Sequence, residues 1–162
     1  MRIGRAWCWC GGLLSVALLS SGCGSLGHRD DDYAGLPRVK ERQALVMSAM
    51  AQIGTPYVYG GSVPGQALDC SGLAQYAHSA VGVRIPRVSV EQQRAAIPVA
   101  ARPPGPGDLV FFRIEPGQYH VGLMIDRDRF VHASTSQGQV RIAHLSSPYW
   151  QQRFRGAGTY LH

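Results

Sequence analysis

Cys70 is the residue whose type and surroundings most directly indicate chemistry. The sequence contains four cysteines, and three of them (Cys8, Cys10 and Cys23) lie in or at the end of an apolar N-terminal segment. Cys70 is therefore the one cysteine expected to remain a free thiol in the folded domain. A lone cysteine with histidines far away in sequence is typical of a nucleophile and not of a disulfide framework. This pattern predicts an enzyme.

The residues around Cys70 predict that it lies in the first turn of a helix. Asp69 fits the N-cap, and Gly82 fits the position just beyond the helix end. The positive end of the helix dipole favours a thiolate, and the free N–H groups near Cys70 and Ser71 could stabilise an oxyanion. The charge of Asp69 opposes the thiolate unless capping occupies the carboxylate. The alternative is a small buried core cysteine.

Two histidines lie on predicted strands that follow the helical half of the chain. The period-2 pattern places His120 on one face of its strand, opposite the apolar side chains of its neighbours. A three-residue loop at 126–128 would pair Ile125 with Arg129 and bring His132 to the same face as His120. A two-residue loop would turn His132 away. The paired histidines therefore require the odd loop, in which Asp128 is expected to adopt a left-handed conformation.

Paired in this way, the two histidines fit defined roles beside the thiol. His120 would accept the proton of Cys70, and His132 would fix the tautomer and orientation of His120, as the third member of a triad does. Zinc is the competing reading for Cys70, His120 and His132. Structural zinc sites use four ligands with closely spaced pairs, and no such spacing occurs here. No metal and no cofactor is expected.

The remaining elements are positioned around a proline-rich divide at residues 102–107. Before it, the pattern predicts helices at about 38–53, from 69 or 70 to about 81, and a short one that begins with a capping box at 89–92, capped by Ser89, and ends before Pro98. After it, the pattern predicts strands at 108–112, 119–125, 129–133, 139–143 and 155–160, paired antiparallel in sequential order. This is an α+β layout, with N-terminal helices packed on an antiparallel sheet of about five or six strands.

The N-terminal segment reads as an export signal. Residues 1–22 carry two arginines, a short apolar run and a small-residue end, which predicts a signal peptide. The Leu-Ser-Ser-Gly-Cys stretch resembles the lipobox of bacterial lipoproteins, in which Cys23 would be acylated, although Ser20 stands where a leucine is expected. Gly24, in place of aspartate, favours the outer membrane. Residues 23–36 are expected to form a lipidated, flexible tether, and residues 37–162 the catalytic domain.

The charge of the chain is compatible with several anionic partners. The formal net charge is +6 with neutral histidines, which could suit nucleic acid, anionic lipid or an anionic wall polymer. The arginines are scattered and are not interleaved with aromatic residues as in nucleic-acid motifs. No nucleic-acid partner is therefore expected.

Several blocks of the domain resemble the NlpC/P60 family of cysteine peptidases, in order and in spacing. They cover most of residues 40–155: GTPYVYGG at 54–61, LDCSGL at 68–73, IPRVSVEQ at 85–92, PGDLVFF at 106–112, HVG at 120–122 and FVHAS at 130–134. The SPYW stretch at 147–150 and the lipoprotein-type N-terminus resemble the subgroup of murein endopeptidase lipoproteins.

The resemblance implies a papain-like fold and hydrolysis of amide bonds in peptidoglycan stem peptides or their crosslinks. It implies Cys70 as nucleophile, His120 as base, His132 as orienting residue, and Tyr57 as the tyrosine that approaches the centre. Tyr59 stands where family members more often carry tryptophan. The expected location is the periplasmic face of the envelope, anchored through Cys23, and the protein is expected to be a monomer.

Other readings and details stay open at this level. A catalytically silent wall-binding lipoprotein and a cysteine amidase or acyltransferase are the alternatives. The sequence does not select between the D-Ala–diaminopimelate crosslink and the γ-D-Glu–diaminopimelate bond. Loops 62–67 and 113–118 are expected to line the substrate groove.

Overall fold

A computed structural model of the protein describes residues 30–162. The predicted signal peptide, Cys23 and the first part of the tether lie outside these residues. Within the described part of the chain, no helix is long and apolar enough to cross a membrane.

The predicted helices and strands occur in the predicted order, and the structure adds a 3₁₀ turn, three two-residue strands and a short fourth α-helix. The helices are the 3₁₀ turn η1 (Asp30–Tyr33), α1 (Val39–Met50), α2 (Cys70–Ser79), α3 (Ser89–Ala95) and α4 (Pro148–Arg153). The strands are β1 (Ser62–Val63), β2 (Ala67–Leu68), β3 (Ile97–Pro98), β4 (Leu109–Glu115), β5 (Gln118–Met124), β6 (Arg129–Ser134), β7 (Gln139–His144) and β8 (Phe154–Thr159). The prediction of an α+β fold with a six-stranded antiparallel sheet is confirmed.

The sheet has the strand order β3-β8-β4-β5-β6-β7 and buries both of its faces. Alternate residues of a strand point to opposite faces, so β5 contributes Val121 and Leu123 to one core and Met124 to the other. The first core lies under α1 and α2, and the second contains Phe112 and Phe130 with Trp150 of α4 packed against them. One face of β5 thus packs against α1 and α2, and the other packs in the core that contains Trp150 of α4.

Helix α4 was not predicted, and it changes the sheet topology. Because α4 packs Trp150 on the second core, the chain leaves β7 and crosses that face of the sheet. Strand β8 then pairs with β3 and β4, not with β7. The prediction of sequential pairing was therefore wrong for the last strand. A six-residue helix is too short to give a clear apolar periodicity.

The end of the expected flexible tether is folded onto the domain. Residues Asp30–Tyr33 form η1, and Tyr33 is only 3% exposed. Burial raises the pKa of Tyr33 to about 12, and Asp32 forms an ion pair with Arg127 at 3.6 Å. The structure differs from the expected flexible tether from Asp30 onward. The stretch is polar in composition, but its one aromatic residue, Tyr33, is buried against the domain.

The start of α3 also differs from the prediction. Val88 occupies the N-cap position, no side chain caps the helix, and Ser89 is already its first helical residue. The expected capping box at 89–92 is therefore absent. The extended backbone at Val88, which comes shortly after Pro86, starts the helix one residue earlier than the side-chain pattern indicated.

A buried arginine ties the two ends of the domain together. Arg42 of α1 is fully buried and pairs with Asp108 at 2.8 Å. Its remaining N–H groups donate to the backbone oxygens of Pro37, Pro106 and Leu161 and to the hydroxyl of Thr159. A buried charge is tolerated only when it is paired and its donors are satisfied, and Arg42 meets both conditions.

Candidate active site

Cys70 is the first residue of α2, as predicted, and Asp69 is the N-cap. The Asp69 carboxylate accepts from the backbone N–H of Gly72 at 2.6 Å and from the hydroxyl of Ser71 at 3.0 Å. Gly72 is required here because any Cβ would collide with the carbonyl oxygen of Gly61. The helix N-terminus is thus pressed against the turn that follows Tyr59.

Arg87 neutralises the charge beside the thiol, and sequence reasoning gave it no role. Its guanidinium binds both carboxylate oxygens of Asp69, at 2.9 and 2.8 Å, and also donates to the Ser71 hydroxyl and the Gly61 carbonyl. Burial alone would raise the pKa of Asp69, but the hydrogen bonds from Arg87, Gly72 and Ser71 outweigh it and lower that pKa. The Asp69 carboxylate is therefore an occupied cap and ion-pair partner.

Gln92 is a second residue that the sequence did not single out. Its side chain is fully buried, and its amide donates to the carbonyl oxygens of Ser71 at 3.0 Å and Pro86 at 2.8 Å. Gln92 thus joins α3 to the first turn of α2. Together with Arg87 it fixes the backbone that carries Cys70.

The loop between β5 and β6 has the three residues that paired histidines require. Ile125 donates its N–H to the carbonyl of Arg129, and the ladder continues with Met124 opposite Phe130. The register prediction is confirmed. The left-handed conformation expected at Asp128 is absent, since Arg38 is the only non-glycine residue in the described range with a positive φ.

The side chain of Asp126 shapes this loop instead. It accepts from the backbone N–H groups of Asp128 at 2.8 Å and Arg129 at 2.6 Å. An aspartate that binds backbone two and three residues ahead closes a turn without left-handed backbone. The three-residue loop is therefore closed by hydrogen bonds to the Asp126 side chain, and Asp128 does not need a positive φ.

His120 and His132 lie on the same face of the sheet and contact each other directly. The Nε2 atom of His120 is 2.9 Å from the Nδ1 atom of His132, and the two residues are 6% and 3% exposed. Burial lowers the pKa of His120 to about 4, partly opposed by the charge of Asp69. Burial and the charges of His120 and Arg141 lower the pKa of His132 to about 3. Both imidazoles are neutral at pH 7.

Cys70 packs against the first core, whereas both histidines contact Trp150 on the face of the second core, and β5 and β6 are unpaired beside them. The two strands pair only at Leu123 with Val131 and at Met124 with Phe130, although β5 begins at Gln118. A hydrogen bond from the Val121 backbone reaches the sulfur of Cys70 and lowers its pKa. The N–H of Val121 therefore points towards this sulfur.

The environment of Cys70 keeps the thiol protonated in the free protein. Burial raises the pKa of Cys70 to about 11; the backbone N–H groups of Val121, Ser71 and Cys70 lower it, and the charge of Asp69 raises it. The helix terminus thus does not outweigh desolvation, contrary to the expected thiolate. The resting site holds a neutral thiol near two neutral imidazoles.

Cys70 and His120 line one open cleft of about 960 Å³. Tyr57 lies in the same cleft, and burial, followed by the charges of Cys70 and Asp69, raises its pKa. Tyr59 stands at the wall and is 91% exposed. The rest of the lining consists of Gly60, Asp69, Ser71, residues 87–90, residues 114–119 and Thr135.

Of the two loops expected to line the groove, one does so. Residues 114–118 form a wall of the cleft, as predicted. The expectation for loop 62–67 was wrong, because Ser62 and Pro64 line a separate cavity of about 410 Å³ on the other side of α2.

Within the described residues, no group of three His, Cys, Asp or Glu side chains is arranged to hold a metal ion. His78 and His144 lie apart from the site. His78 contacts the carbonyl of Ala74 on its own helix at 2.8 Å, and His144 contacts the carboxylate of Asp128 at 2.8 Å.

The fold and the cleft define an α+β domain with a cysteine at a helix N-terminus and a histidine pair on the facing sheet. Comparison with protein families assigns it further. The model of the NlpC/P60 family matches residues 54–159, and the chain belongs to this family.

Individual relatives agree with this assignment. The chain is 39% identical over 132 residues to the gamma-DL-glutamyl hydrolase of Bacillus subtilis, covering 76% of this chain and only 32% of that protein. It is 36% identical over 135 residues to the murein DD-endopeptidase MepS/murein LD-carboxypeptidase of Escherichia coli, covering 82% and 71%. A lipoprotein-like NLP/P60 family structure from Staphylococcus aureus superposes with a TM-score of 0.67 at 34% identity, covering 76% and 42%.

Proposed function

We propose that this protein is a peptidoglycan hydrolase that cleaves amide bonds of stem peptides or of their crosslinks. The observation that carries the proposal is a cleft lined by both Cys70, at a helix N-terminus, and His120, whose Nε2 atom lies 2.9 Å from His132. The murein endopeptidase relative of Escherichia coli supports a cell-wall peptide as the substrate.

In the proposed reaction, Cys70 attacks the scissile carbonyl as its proton passes to His120. The Nε2 atom of His120 faces His132, so Nδ1 is the nitrogen assigned to this proton. Because both groups are neutral at rest, the ion pair forms only during the attack. The proton then passes to the leaving amine, and water activated by His120 hydrolyses the thioester.

The surrounding residues have supporting roles in this scheme. His132 holds His120 in one tautomer and orientation. The backbone N–H groups of Cys70 and Ser71, at the helix N-terminus, would face the developing oxyanion, while the Asp69 side chain keeps that turn in place. The hydroxyl of Tyr57 is assigned to the substrate carbonyl or oxyanion, since Tyr57 lines the cleft beside Cys70. No cofactor takes part.

A muropeptide digest read by mass spectrometry tests the proposal. The protein without its N-terminal segment is incubated with purified peptidoglycan, and the product masses identify the bond that is cut. Products are expected with the native sequence and not with Cys70→Ala. Wall binding without products would instead indicate a binding module, and products that retain a transferred group would indicate an acyltransferase. Either result would refute hydrolysis.

We further propose that the protein acts as a monomer at the periplasmic face of the envelope, anchored through an acylated Cys23 and facing the wall from the outer membrane. The support is the signal-like segment and lipobox-like stretch of the sequence. Labelling with radioactive palmitate and membrane fractionation provide the test. The native protein should be labelled and should sediment with outer membrane, and Cys23→Ser should lose the label; retention of label by Cys23→Ser would contradict the anchor.

A further inference from the structure

Trp150 of α4 contacts both histidines of the candidate active site. Its indole is stacked on His120, with ring centroids 5.6 Å apart and an interplanar angle of 21°. It meets His132 nearly at right angles, at 5.0 Å and 82°. Phe112 and Phe130 hold the indole from the other sides at 4.6 and 5.1 Å. One rigid side chain therefore covers both imidazoles.

We propose that Trp150 is a positioning residue for the reaction: it locks the His120–His132 pair, and its stacked indole stabilises the imidazolium that forms on His120 as Cys70 attacks. The inference rests on the proposed function but adds a residue on an element that the sequence pattern does not reveal. A cation within about 6 Å of an indole centroid is attracted by the face of the ring, and the His120 ring satisfies this distance.

The need for such a group follows from the burial of the pair. His120 is desolvated and neutral at rest, so the proton that it receives from Cys70 is placed in a site with little water. The charged groups that act on the pair are Asp69, which favours the charged form of His120, and Arg141, which disfavours that of His132. Asp69 is already neutralised by Arg87. Besides His132, which contacts the Nε2 atom of His120 at 2.9 Å, the indole is a group in contact with His120 that favours a positive charge on its ring.

Trp150→Leu and Trp150→Phe distinguish apolar packing against the histidines from stabilisation of the imidazolium by the ring face. Leucine keeps an apolar cover but removes the ring face, whereas phenylalanine keeps a weaker ring face. Phe154→Leu is the matched control, because Phe154 packs on Phe112 in the same core at 6.0 Å and makes no ring contact with either histidine in the described part of the chain. All three variants are expected to lose some thermal stability, so stability alone does not decide the result.

The first readout is a titration of the histidine rings by NMR on isotope-labelled protein, which requires no turnover. The pKa of His120 should fall by about one unit in Trp150→Leu and by less in Trp150→Phe, and it should not move in Phe154→Leu. An unchanged pKa in Trp150→Leu, or one that rises because water enters, would overturn the proposal.

The second readout is the rate of muropeptide cleavage. With Trp150→Leu, kcat should fall by about tenfold, the factor that corresponds to one pKa unit, while KM stays within about twofold because the indole does not line the cleft. Phe154→Leu should keep kcat within about twofold. Equal losses in these two variants would assign Trp150 to packing alone. If the native protein cleaves nothing, the proposed function fails, whereas the NMR titration still decides the stacking.

Discussion

Mild acid should destabilise this domain through a histidine that plays no part in the proposed reaction. His78 of α2 is 0% exposed, its Nε2 atom has no hydrogen-bond partner, and its ring packs edge-on against Tyr160 at 5.5 Å. Burial lowers the pKa of His78 from 6.5 to about 4, and the charge of Arg42 acts in the same direction. At pH 5, His78 is therefore protonated in the unfolded chain and neutral in the folded domain.

The size of the effect follows from these two pKa values. Because the unfolded state binds more protons between pH 6.5 and 4, stability falls as the pH is lowered through this window and levels off below it. One unit of difference corresponds to about 1.4 kcal/mol. His78 alone should thus cost about 2 kcal/mol at pH 5. Burial also lowers the pKa values of His120 and His132, so these residues act in the same direction.

Urea denaturation of the native protein and of His78→Leu, at pH 7.5 and pH 5.0, measures this contribution. Leucine has a similar volume and removes a buried nitrogen without a partner, so the variant should be at least as stable as the native protein at pH 7.5. At pH 5.0 it should be more stable by about 2 kcal/mol. His162→Leu, at the exposed C-terminus, is the control and should follow the native protein at both values. Identical acid losses in the native protein and His78→Leu would refute the reasoning.

Three further substitutions probe other contacts. Arg42→Met should lower the free energy of unfolding by about 3 kcal/mol, because the buried carbonyls of Pro106 and Leu161 lose their donor and Asp108 keeps only Arg102 as an ion-pair partner; a urea midpoint like that of the native protein would contradict this. Gly122→Ala should cost about 1–3 kcal/mol by overpacking, since its Cβ would collide with the ring of Phe130; an unchanged melting temperature would disprove the collision. Arg87→Gln should leave the charge of Asp69 uncompensated beside the thiol, raise the thiol pKa and slow alkylation by iodoacetamide at pH 8 by about tenfold; alkylation at the native rate would show that the ion pair does not act on the thiol.

The sequence predicted features that depend on short stretches of chain. The start of α2 at Cys70 follows from an aspartate cap before an apolar helical face. The odd loop between His120 and His132 follows from the demand that both share a face of the sheet. Two local predictions failed. The β5–β6 loop is closed by the Asp126 side chain and not by a left-handed residue, and α3 begins after Val88 without a capping side chain.

Other features of the site and fold depend on contacts between residues far apart in sequence, which sequence periodicity does not indicate. Arg87 reaches Asp69 across 18 positions, and Gln92 reaches Ser71 across 21. Tyr33 is buried only because distant residues of the domain pack around it. Strand β8 pairs with β4 because the chain crosses one face of the sheet through α4 before β8 begins.

The sequence by itself determined where the candidate residues lie: one thiol at a helix start and two histidines on neighbouring strands that share one face of the sheet, because caps and alternation act over a few residues. The tertiary structure decided how these groups meet and in which charge state. Packing brings Cys70 and His120 to one cleft, and burial keeps the thiol and both imidazoles neutral at rest. Both depend on packing between layers, since desolvation is a property of the surrounding atoms and not of the residue itself.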